Sequence, residues 1–300
     1  MSLTPLDKPA MKRSFERAAS SYDEHAVLQR EVESRLLERI EFQRLEPRMI
    51  LDLGSGSGTA SHLLAGRFPA ADVVSLDWAP AMLREAGKRE GSEVSIDRRL
   101  SRVCADMHYL PLAARSVDLV FSNLALQWSY DLPAIIQEFR RTMKADAMLV
   151  FSCYGPDTLY ELKQAWQAVD DLPHVNEQPD MHNIGDELLA AGYREPVMDA
   201  ERLTLSYIDV FSLMRDLKGI GSHNVASARS RGLTGKRQLD TMLQAYEQFR
   251  RDGRYPASFE VIYGTAFAPS DGQPMKTPDG DIATFSVDAL RASSKKKDTS

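Results

Sequence analysis

The sequence predicts an α/β fold: a doubly wound, mostly parallel seven-stranded sheet with a helical cap inserted before the last strand. Three observations predict it. Short apolar runs alternate with segments of helical periodicity through the first half of the chain. These runs are almost continuously apolar, as in a parallel sheet that helices cover on both faces. A glycine-rich turn directly follows the first run.

The predicted elements follow the order of a doubly wound sheet. Apolar residues recur at helical spacing over residues 12–46, and Pro47 ends this N-terminal helical segment. The first five strands are predicted at 49–53, 73–77, 101–105, 117–122 and 147–152, with helices between them at 59–68, 80–88 and 132–143. Right-handed crossovers then place a ligand crevice at the carboxyl ends of the strands, beside the first strand.

The second half of the chain is less regular. Helices are predicted at 159–169 and 185–191, and strands at 197–207 and 259–267. Residues 208–255 are helical and basic, and we expect them to form a cap over the crevice. The predicted organisation is one domain, residues 1–268, with a cofactor-binding core at 47–155. Residues 269–300 are predicted to be a flexible tail.

Composition and charge narrow the functional classes. The net charge of −6 argues against non-specific nucleic-acid binding. No apolar run reaches the ~20 residues of a membrane helix, and the N-terminus has no apolar signal-peptide core. We therefore expect a cytoplasmic protein without nucleic-acid or membrane partners. Cys104 and Cys153 are too few for a disulfide framework, and we expect both to be buried.

Basic residues are concentrated in one segment. Residues 211–254 hold nine Arg or Lys against four Asp or Glu, although the whole chain is acidic. A basic patch on an acidic protein favours a specific anionic partner. The alternative is a solvated helical face.

The glycine-rich turn is the strongest motif. Its glycines have the spacing G-x-G-x-G, and Thr59 stands where a dinucleotide fingerprint has its third glycine. Glycine allows a tight turn and a close ligand approach, and the N–H groups of the following helix attract an anion. We interpret that anion as the carboxylate of a methionine moiety, which predicts S-adenosylmethionine as the cofactor. The predicted contacts in this turn are Gly54, Ser55, Gly56 and Gly58.

Polar residues follow the next three strands. Asp77 can accept hydrogen bonds from both ribose hydroxyls, and Trp78 can lie against adenine. Asp106 can accept from the adenine amino group, with the Met107 N–H serving a ring nitrogen. Asn123 follows the fourth strand, where the methyl group would be presented. The alternatives are a helix cap for Asp77, a turn residue for Asp106, and a turn or cap amide for Asn123.

Several other chemistries lack their motifs. The chain contains no G-x-x-x-x-G-K-[ST], no H-E-x-x-H and no G-x-S-x-G. No zinc spacing and no two-histidine, one-carboxylate set with recognisable spacing is present, so no metal is predicted.

Residues 47–155 resemble the class I S-adenosylmethionine-dependent methyltransferases in the order of their motifs. A narrower resemblance spans most of the chain. It is carried by Phe15-x-x-Ala-Ala-x-x-Tyr22-Asp-x-His25-Ala-x-x-Gln29, Ser122-Asn-Leu-Ala-Leu-Gln-Trp128, Phe151-Ser-x-x-Gly-Pro-x-Thr-Leu159, Leu217-Lys-Gly-Ile-Gly-x-His-Asn224, Arg229-x-x-Gly-Leu-Thr-Gly235 and Tyr263-Gly-x-Ala266. Together these motifs resemble the malonyl-[acyl-carrier protein] O-methyltransferases of biotin synthesis.

The resemblance implies methyl transfer from S-adenosylmethionine to the free carboxyl of a malonyl thioester on acyl-carrier protein, which starts pimeloyl and biotin synthesis. A carboxylate is already ionised at pH 7 and needs no general base, so positioning is the expected mechanism. Arg229 is the first candidate for holding one carboxylate oxygen, unless its segment is only a turn between cap helices. The positioning candidates are Tyr22, Gln127, Trp128, His223, Asn224 and Arg229; Tyr22 and Gln29 are also expected at the cofactor.

The resemblance also implies a partner. Acyl-carrier proteins are small and acidic, so a basic cap suits their docking. The docking candidates are Arg215, Lys218, Arg231, Lys236, Arg237, Arg250 and Arg251. Two alternatives remain: a methyltransferase for another small acceptor, and an S-adenosylmethionine-binding assembly factor or hydroxylase. A mitochondrial complex I assembly factor described as an arginine hydroxylase shares the N-terminal pattern.

Overall fold

The computed structural model describes residues 4–41, 43–90, 99–230, 232–272, 275–277 and 280–282. Seven strands form one sheet in the order β3-β2-β1-β4-β5-β7-β6. They are β1 (Met49–Leu53), β2 (Asp72–Asp77), β3 (Leu100–Cys104), β4 (Val117–Ser122), β5 (Met143–Tyr154), β6 (Arg194–Tyr207) and β7 (Tyr255–Phe267). β1 to β5 are parallel, and β7 runs antiparallel to both β5 and β6. The predicted fold class is confirmed.

Helices connect the strands. They are α1 (Lys8–Ala18), α2 (Tyr22–His25), α3 (Val27–Glu41), α4 (Thr59–Arg67), α5 (Pro80–Glu90), α6 (Leu132–Thr142), α7 (Tyr160–Gln167), α8 (Met181–Ala190), α9 (Val210–Gly219) and α10 (Lys236–Tyr246). Aspartates start four of these helices, because each side chain accepts a hydrogen bond from the first helical turn. These N-cap residues are Asp7, Asp131, Asp180 and Asp209. A separate hairpin pairs β8 (Met275–Thr277) with β9 (Gly280–Ile282).

The sheet separates two apolar layers. One layer packs α3, α4, α7, α9 and α10 against β1, β4, β5 and β7. The other contains the apolar faces of α6 and α8. The central strands are therefore buried on both faces, which explains their nearly continuous apolar sequence.

The predicted N-terminal helix at 12–46 is wrong in its continuity, because the chain forms α1, α2 and α3 instead. The breaks lie at Ala19–Ser21 and at Ala26. Ser21 donates from its hydroxyl to the Ala18 carbonyl (3.2 Å) and to the Gly219 carbonyl (3.2 Å). A serine that bonds the backbone in this way competes with the helix, and the resulting turn places Tyr22 over the glycine-rich loop.

The structure also bears on the predictions for the two cysteines, the segment 208–255 and the C-terminal tail. Cys153 is buried, but Cys104 is exposed, because it lies on the edge strand β3. Within the segment 208–255 the chain forms α9 and α10, and the described residues 220–230 and 232–235 between them contain no helix or named strand. Of the predicted tail at 269–300, residues 273–274, 278–279 and 283–300 lie outside the described residues, as does Arg231. Among the described helices, none is long and apolar enough to cross a membrane.

Candidate functional site

The first cavity lies at the carboxyl ends of β1, β2 and β4, where the strand order reverses between β1 and β4. Its volume is about 740 Å³ when the part open to solvent is included. This is the crevice that the topology predicts for a ligand. The structure brings nine of the sequence-predicted residues to its wall or rim: Tyr22, Gly54, Gly56, Asp77, Trp78, Asp106, Met107, Asn123 and Trp128.

The glycine-rich loop has backbone conformations that glycine adopts readily. Gly54, Gly56 and Gly58 have φ values of 71°, 54° and 80°. A Cβ at Gly54 would lie 2.4 Å from the Ala125 Cβ, and one at Gly58 would lie 2.8 Å from the Ala86 Cβ. Gly58 precedes α4 and packs against α5, outside the cavity wall, so its role in the structure is close packing of the backbone.

Asp77 combines a local role with a place in the cavity wall. Its Oδ2 accepts from the Gly56 N–H (3.0 Å) and its Oδ1 from the Ala79 N–H (2.7 Å). Burial raises the pKa of the Asp77 carboxyl, and these N–H donors oppose that shift. Each carboxylate oxygen keeps a further lone pair for a ligand.

The opposite end of the cavity is polar on one side and aromatic on the other. Asp106 accepts at Oδ1 from the His108 N–H (3.0 Å) and bonds the His108 ring at Nδ1 (2.6 Å). Asp106 is thus also the turn residue of the alternative interpretation. Within the described ranges, its Oδ2 and the Met107 N–H have no hydrogen-bond partner. His108 stacks on Tyr130 with ring centroids 3.6 Å apart.

A second cavity of about 410 Å³ adjoins the first across the glycine-rich loop. Tyr22, Gly54, Gly56 and Asn123 line both cavities. Gln29 and Ser55 line the second cavity, so those two predicted residues lie there. Its acidic side chains are Asp23, Glu33 and Asp52, and its one basic lining residue is Arg30, which donates to the Asp23 carbonyl.

Asn123 does not present a free amide to the cavity. Its Nδ2 donates to the Gln29 carbonyl (3.0 Å), and its Oδ1 accepts from the Ser152 hydroxyl (2.7 Å). The Gln29 side chain in turn donates to the Tyr154 hydroxyl (3.0 Å). These bonds attach α3 to the ends of β4 and β5.

Helix α1 supplies one wall of the first cavity through Met11 and Phe15. The Phe15 ring meets Trp128 edge-on, with centroids 5.1 Å apart and an interplanar angle of 90°. On the rim, the Lys8 ammonium lies 3.0 Å from the centroid of Tyr130. Sequence reasoning missed Met11, Lys8 and Tyr130. The helical spacing of Met11 and Phe15 was the available signal, but it does not say which surface the helix covers.

The segment around Arg229 contacts the N-terminus rather than the first cavity. Residues 5–7 and 225–229 form what we call the clasp: Asp7 N–H donates to the Val225 carbonyl (2.8 Å), Ser227 N–H donates to the Pro5 carbonyl (2.8 Å), and the Arg229 guanidinium pairs with the Asp7 carboxylate (3.0 Å). The clasp therefore holds the start of α1.

The neighbouring motif residues support the same arrangement. A Cβ on Gly219 would lie 2.2 Å from the His25 ring, and one on Gly221 would lie 3.1 Å from Phe15. His223 and Asn224 line a third cavity, and Gln127 lines a separate cleft, so the structure does not place these three on the first cavity. The Gln127 Oε1 is buried and has no partner among the described residues.

Comparison with known proteins decides the family. Residues 51–151 match the family described as methyltransferase domain. The chain is 50% identical over 267 residues to the malonyl-[acyl-carrier protein] O-methyltransferase of Gallionella capsiferriformans, covering 88% of this chain and 92% of that protein. It is 45% identical to the Laribacter hongkongensis protein of the same name, covering 93% and 96%. The chain belongs to the malonyl-[acyl-carrier protein] O-methyltransferase family.

The fold agrees with this membership. A structure of Haemonchus contortus phosphoethanolamine N-methyltransferase 2 in complex with S-adenosyl-L-methionine aligns with a TM-score of 0.53 at 16% identity, covering 85% of this chain and 57% of that one. At this identity the likeness concerns the fold alone. As a member of its family, the chain is an S-adenosylmethionine-dependent methyltransferase.

The predicted docking residues lie outside both cavities of the methyltransferase. All six within the described ranges are exposed: Arg215, Lys218, Lys236, Arg237, Arg250 and Arg251. Arg250 lies 3.7 Å from the Glu247 carboxylate. The other five form no ion pair with the residues that the structure describes, so their charges are available to a partner.

Proposed function

We propose that this protein transfers the methyl group of S-adenosylmethionine to the free carboxylate of a malonyl thioester carried by acyl-carrier protein, giving the malonyl methyl ester that starts pimeloyl synthesis for biotin. The family relatives supply the acceptor through their names. The structural observation that carries the proposal is the first cavity, with Asp77 and the glycine-rich loop at the switch point of the sheet.

The two cavities suit the two ends of the cofactor. In the first, Asp77 would accept from the ribose hydroxyls, and Asp106 Oδ2 and the Met107 N–H would recognise the adenine edge beside Trp78. In the second, the cofactor's α-carboxylate would meet Arg30 and the Tyr22 hydroxyl, and its ammonium would meet Asp52. A Cβ on Gly56 would point toward Tyr22 and lie 3.8 Å from its ring. The glycine therefore leaves room for the part of the cofactor that would pass between the two cavities.

Methyl transfer to a carboxylate requires that the two reactants be positioned and water be excluded, and it does not require a general base. The acceptor is already a carboxylate, so no proton has to be removed. Opposite charges neutralise as the methyl moves, and water, which stabilises the separated ions, slows the step. The Phe15–Trp128 contact and α1 form an apolar wall of the cavity, which would limit the access of water. Fixing two reactants in line can lower the barrier by about 7–11 kcal/mol.

The basic surface of α9 and α10 would receive the carrier protein. Exposed cations steer an acidic partner and raise its association rate, and the effect weakens with salt. We further propose that residues 1–268 act as one domain, with residues 208–255 as its cap and the core at 47–155. Arg229 would act on α1 through the clasp. This hypothesis is an alternative to the prediction that Arg229 holds the acceptor carboxylate.

The decisive experiment uses S-adenosylmethionine labelled in its methyl group, offered with malonyl-carrier protein, malonyl-coenzyme A or acetyl-carrier protein. We expect a base-labile methyl ester on malonyl-carrier protein, and none on the acetyl form, which has no free carboxyl. Absence of label from every acceptor would contradict the proposal and favour a non-methylating role.

A further inference from the structure

A third cavity of about 470 Å³ lies at the carboxyl end of β5, beneath the end of α9. Tyr154 and Phe259 reach it from the sheet, Leu162 from α7, and Ile220 and His223 from the segment after α9. Its lining combines apolar and polar side chains, as small-molecule sites commonly do.

This cavity adjoins the cofactor region through one pair of side chains. Gln29, which lines the second cavity, donates to the hydroxyl of Tyr154, which lines the third. Both side chains are buried, at 8% and 6% exposure. A group bound against Tyr154 would therefore lie next to the cofactor's methionine end.

The lining of the third cavity differs in charge from the linings of four other cavities in the described part of the chain. No Asp or Glu side chain lines it. Four other cavities have acidic linings: Asp77 and Asp106; Asp23, Glu33 and Asp52; Asp240 and Glu247; and Asp131, Asp186 and Glu187. Asp170 bonds the ring of the lining residue His174 (2.8 Å). An anionic ligand would meet least repulsion in the third cavity.

Positive charge reaches the same cavity. Burial, with added effects of Lys218 and Arg17, lowers the pKa of the His223 ring. Lys218 lies in the turn that leads to this half-buried residue: the Gly221 N–H donates to the Lys218 carbonyl (3.1 Å), and the His223 N–H donates to the Gly221 carbonyl (2.9 Å). Neither Lys218 nor Arg17 forms an ion pair with another residue that the structure describes. Their field favours an anion at the rim.

Tyr154 has a hydrogen to donate. Because Gln29 donates to the Tyr154 oxygen, the phenolic hydrogen itself is not used in that bond. Burial raises the pKa of the Tyr154 hydroxyl, so it stays protonated at neutral pH. The Gln178 Oε1 is a second unsatisfied group in this wall: it is buried and has no donor among the described residues.

We infer that the third cavity is the acceptor pocket, in which the Tyr154 hydroxyl holds one oxygen of the malonyl carboxylate and Gln178 accepts an N–H from the pantetheine arm. This inference rests on the proposed function. The second carboxylate oxygen attacks the methyl carbon as the carbon–sulfur bond breaks. The electron pair of that bond stays on sulfur, giving a neutral thioether and an ester, and no proton moves.

The test measures binding and turnover separately. Tyr154→Phe removes one hydroxyl, and we expect malonyl-pantetheine to bind the S-adenosylhomocysteine-loaded protein about 10- to 100-fold more weakly, the effect of a lost hydrogen bond to a charged group. Binding of acetyl-pantetheine and of S-adenosylmethionine should stay within about two-fold. Tyr193→Phe is the matched control, because Tyr193 is also buried but donates to the Ile136 carbonyl on the other face of the sheet.

A second variant tests the cavity itself. Ser222→Trp places a large ring at the rim, and we expect it to abolish malonyl-pantetheine binding while S-adenosylmethionine still binds. Unchanged malonyl-pantetheine binding in both variants would overturn the acceptor pocket even if the wild-type protein makes the ester. Conversely, wild-type binding that both variants weaken, without ester formation, would support the pocket and contradict the proposed function.

Discussion

The glycine-rich loop at 54–58 and the motif segment at 217–229 are used by the fold in different ways. The loop is complete within a few residues: its positive φ angles and its bonds to β2 define where a ligand can approach. The later segment acts on partners about 200 residues earlier in the chain, at Asp7, Phe15 and His25. A motif therefore indicates its own function most directly when its contacts are local.

We expect the largest loss of cofactor affinity from a change in the glycine-rich loop. Gly54→Ala adds a Cβ that overlaps Ala125 at a left-handed backbone position. The left-handed backbone costs a residue with a Cβ about 1–2 kcal/mol, and the overlap with Ala125 costs about 1–3 kcal/mol. We therefore expect affinity for S-adenosylmethionine to fall by about 100-fold in calorimetric titration. Gly66→Ala, in α4 with open space around the new Cβ, is the control and should bind normally. Equal affinities of the two variants would refute the loop's role.

Asp77 gives the next effect. Asp77→Asn keeps the size of the side chain but loses the charge and an acceptor, and we expect cofactor affinity about 10-fold weaker or more. Asp72→Asn, at the exposed start of the same strand, should match the wild type. If both variants bind alike, Asp77 serves only its contacts to Gly56 and Ala79.

Variants of Arg229 distinguish two hypotheses for the segment at 217–229: that it holds α1 through the clasp, or that Arg229 binds the acceptor carboxylate. If it acts through the clasp, Arg229→Ala and Asp7→Ala should each speed cofactor dissociation several-fold in stopped-flow measurements. The double variant should then add little to Asp7→Ala, because both single changes break the same ion pair, with a coupling of about 1 kcal/mol or less. Asp7→Ala should have the larger effect of the two, because Asp7 is also the N-cap of α1. A raised KM for the malonyl acceptor in Arg229→Ala alone, with cofactor kinetics unchanged, would instead support Arg229 as the carboxylate holder.

We expect cofactor binding in the second cavity to depend on pH through Asp52. Burial raises its pKa to about 7, with a further contribution from Asp77 and an opposing one from Ser61. The carboxyl becomes an anion as pH rises from 6 to 8, so binding of the cofactor's ammonium should strengthen several-fold over that range. Asp52→Asn should flatten the dependence. Without ligand, the raised pKa favours the folded state below about pH 4 and this contribution is lost by pH 7.

The smallest effect concerns docking. Lys236→Glu with Arg237→Glu should raise KM for malonyl-carrier protein a few-fold at low salt, and the difference should vanish at high salt. Arg44→Glu with Arg48→Glu changes the same charge next to the amino end of β1, opposite the cavities. A similar rise in that control pair would mean that net charge, rather than the α10 surface, controls the encounter.

Local pattern was enough to predict the sheet, the crevice and most of its wall. Buried strands read as apolar runs, and the residues after β1 to β4 meet because parallel strands end at one edge. Three features could not be predicted in this way: the break near Ser21, the wall formed by Met11 and the position of Arg30 in the lining of the second cavity. Each depends on where α1 and α3 pack, which the spacing of apolar residues leaves open.

The wall formed by α1 has a consequence for synthesis of the chain. The N-terminal helix leaves the ribosome early, but the segment that anchors it, 219–229, follows some 200 residues later. Until then, Met11 and Phe15 have no clasp to hold them over the cavity. We therefore expect this wall of the cavity to be completed late in the folding of the chain, and a fusion placed before Pro5 to lie beside the contacts that complete it.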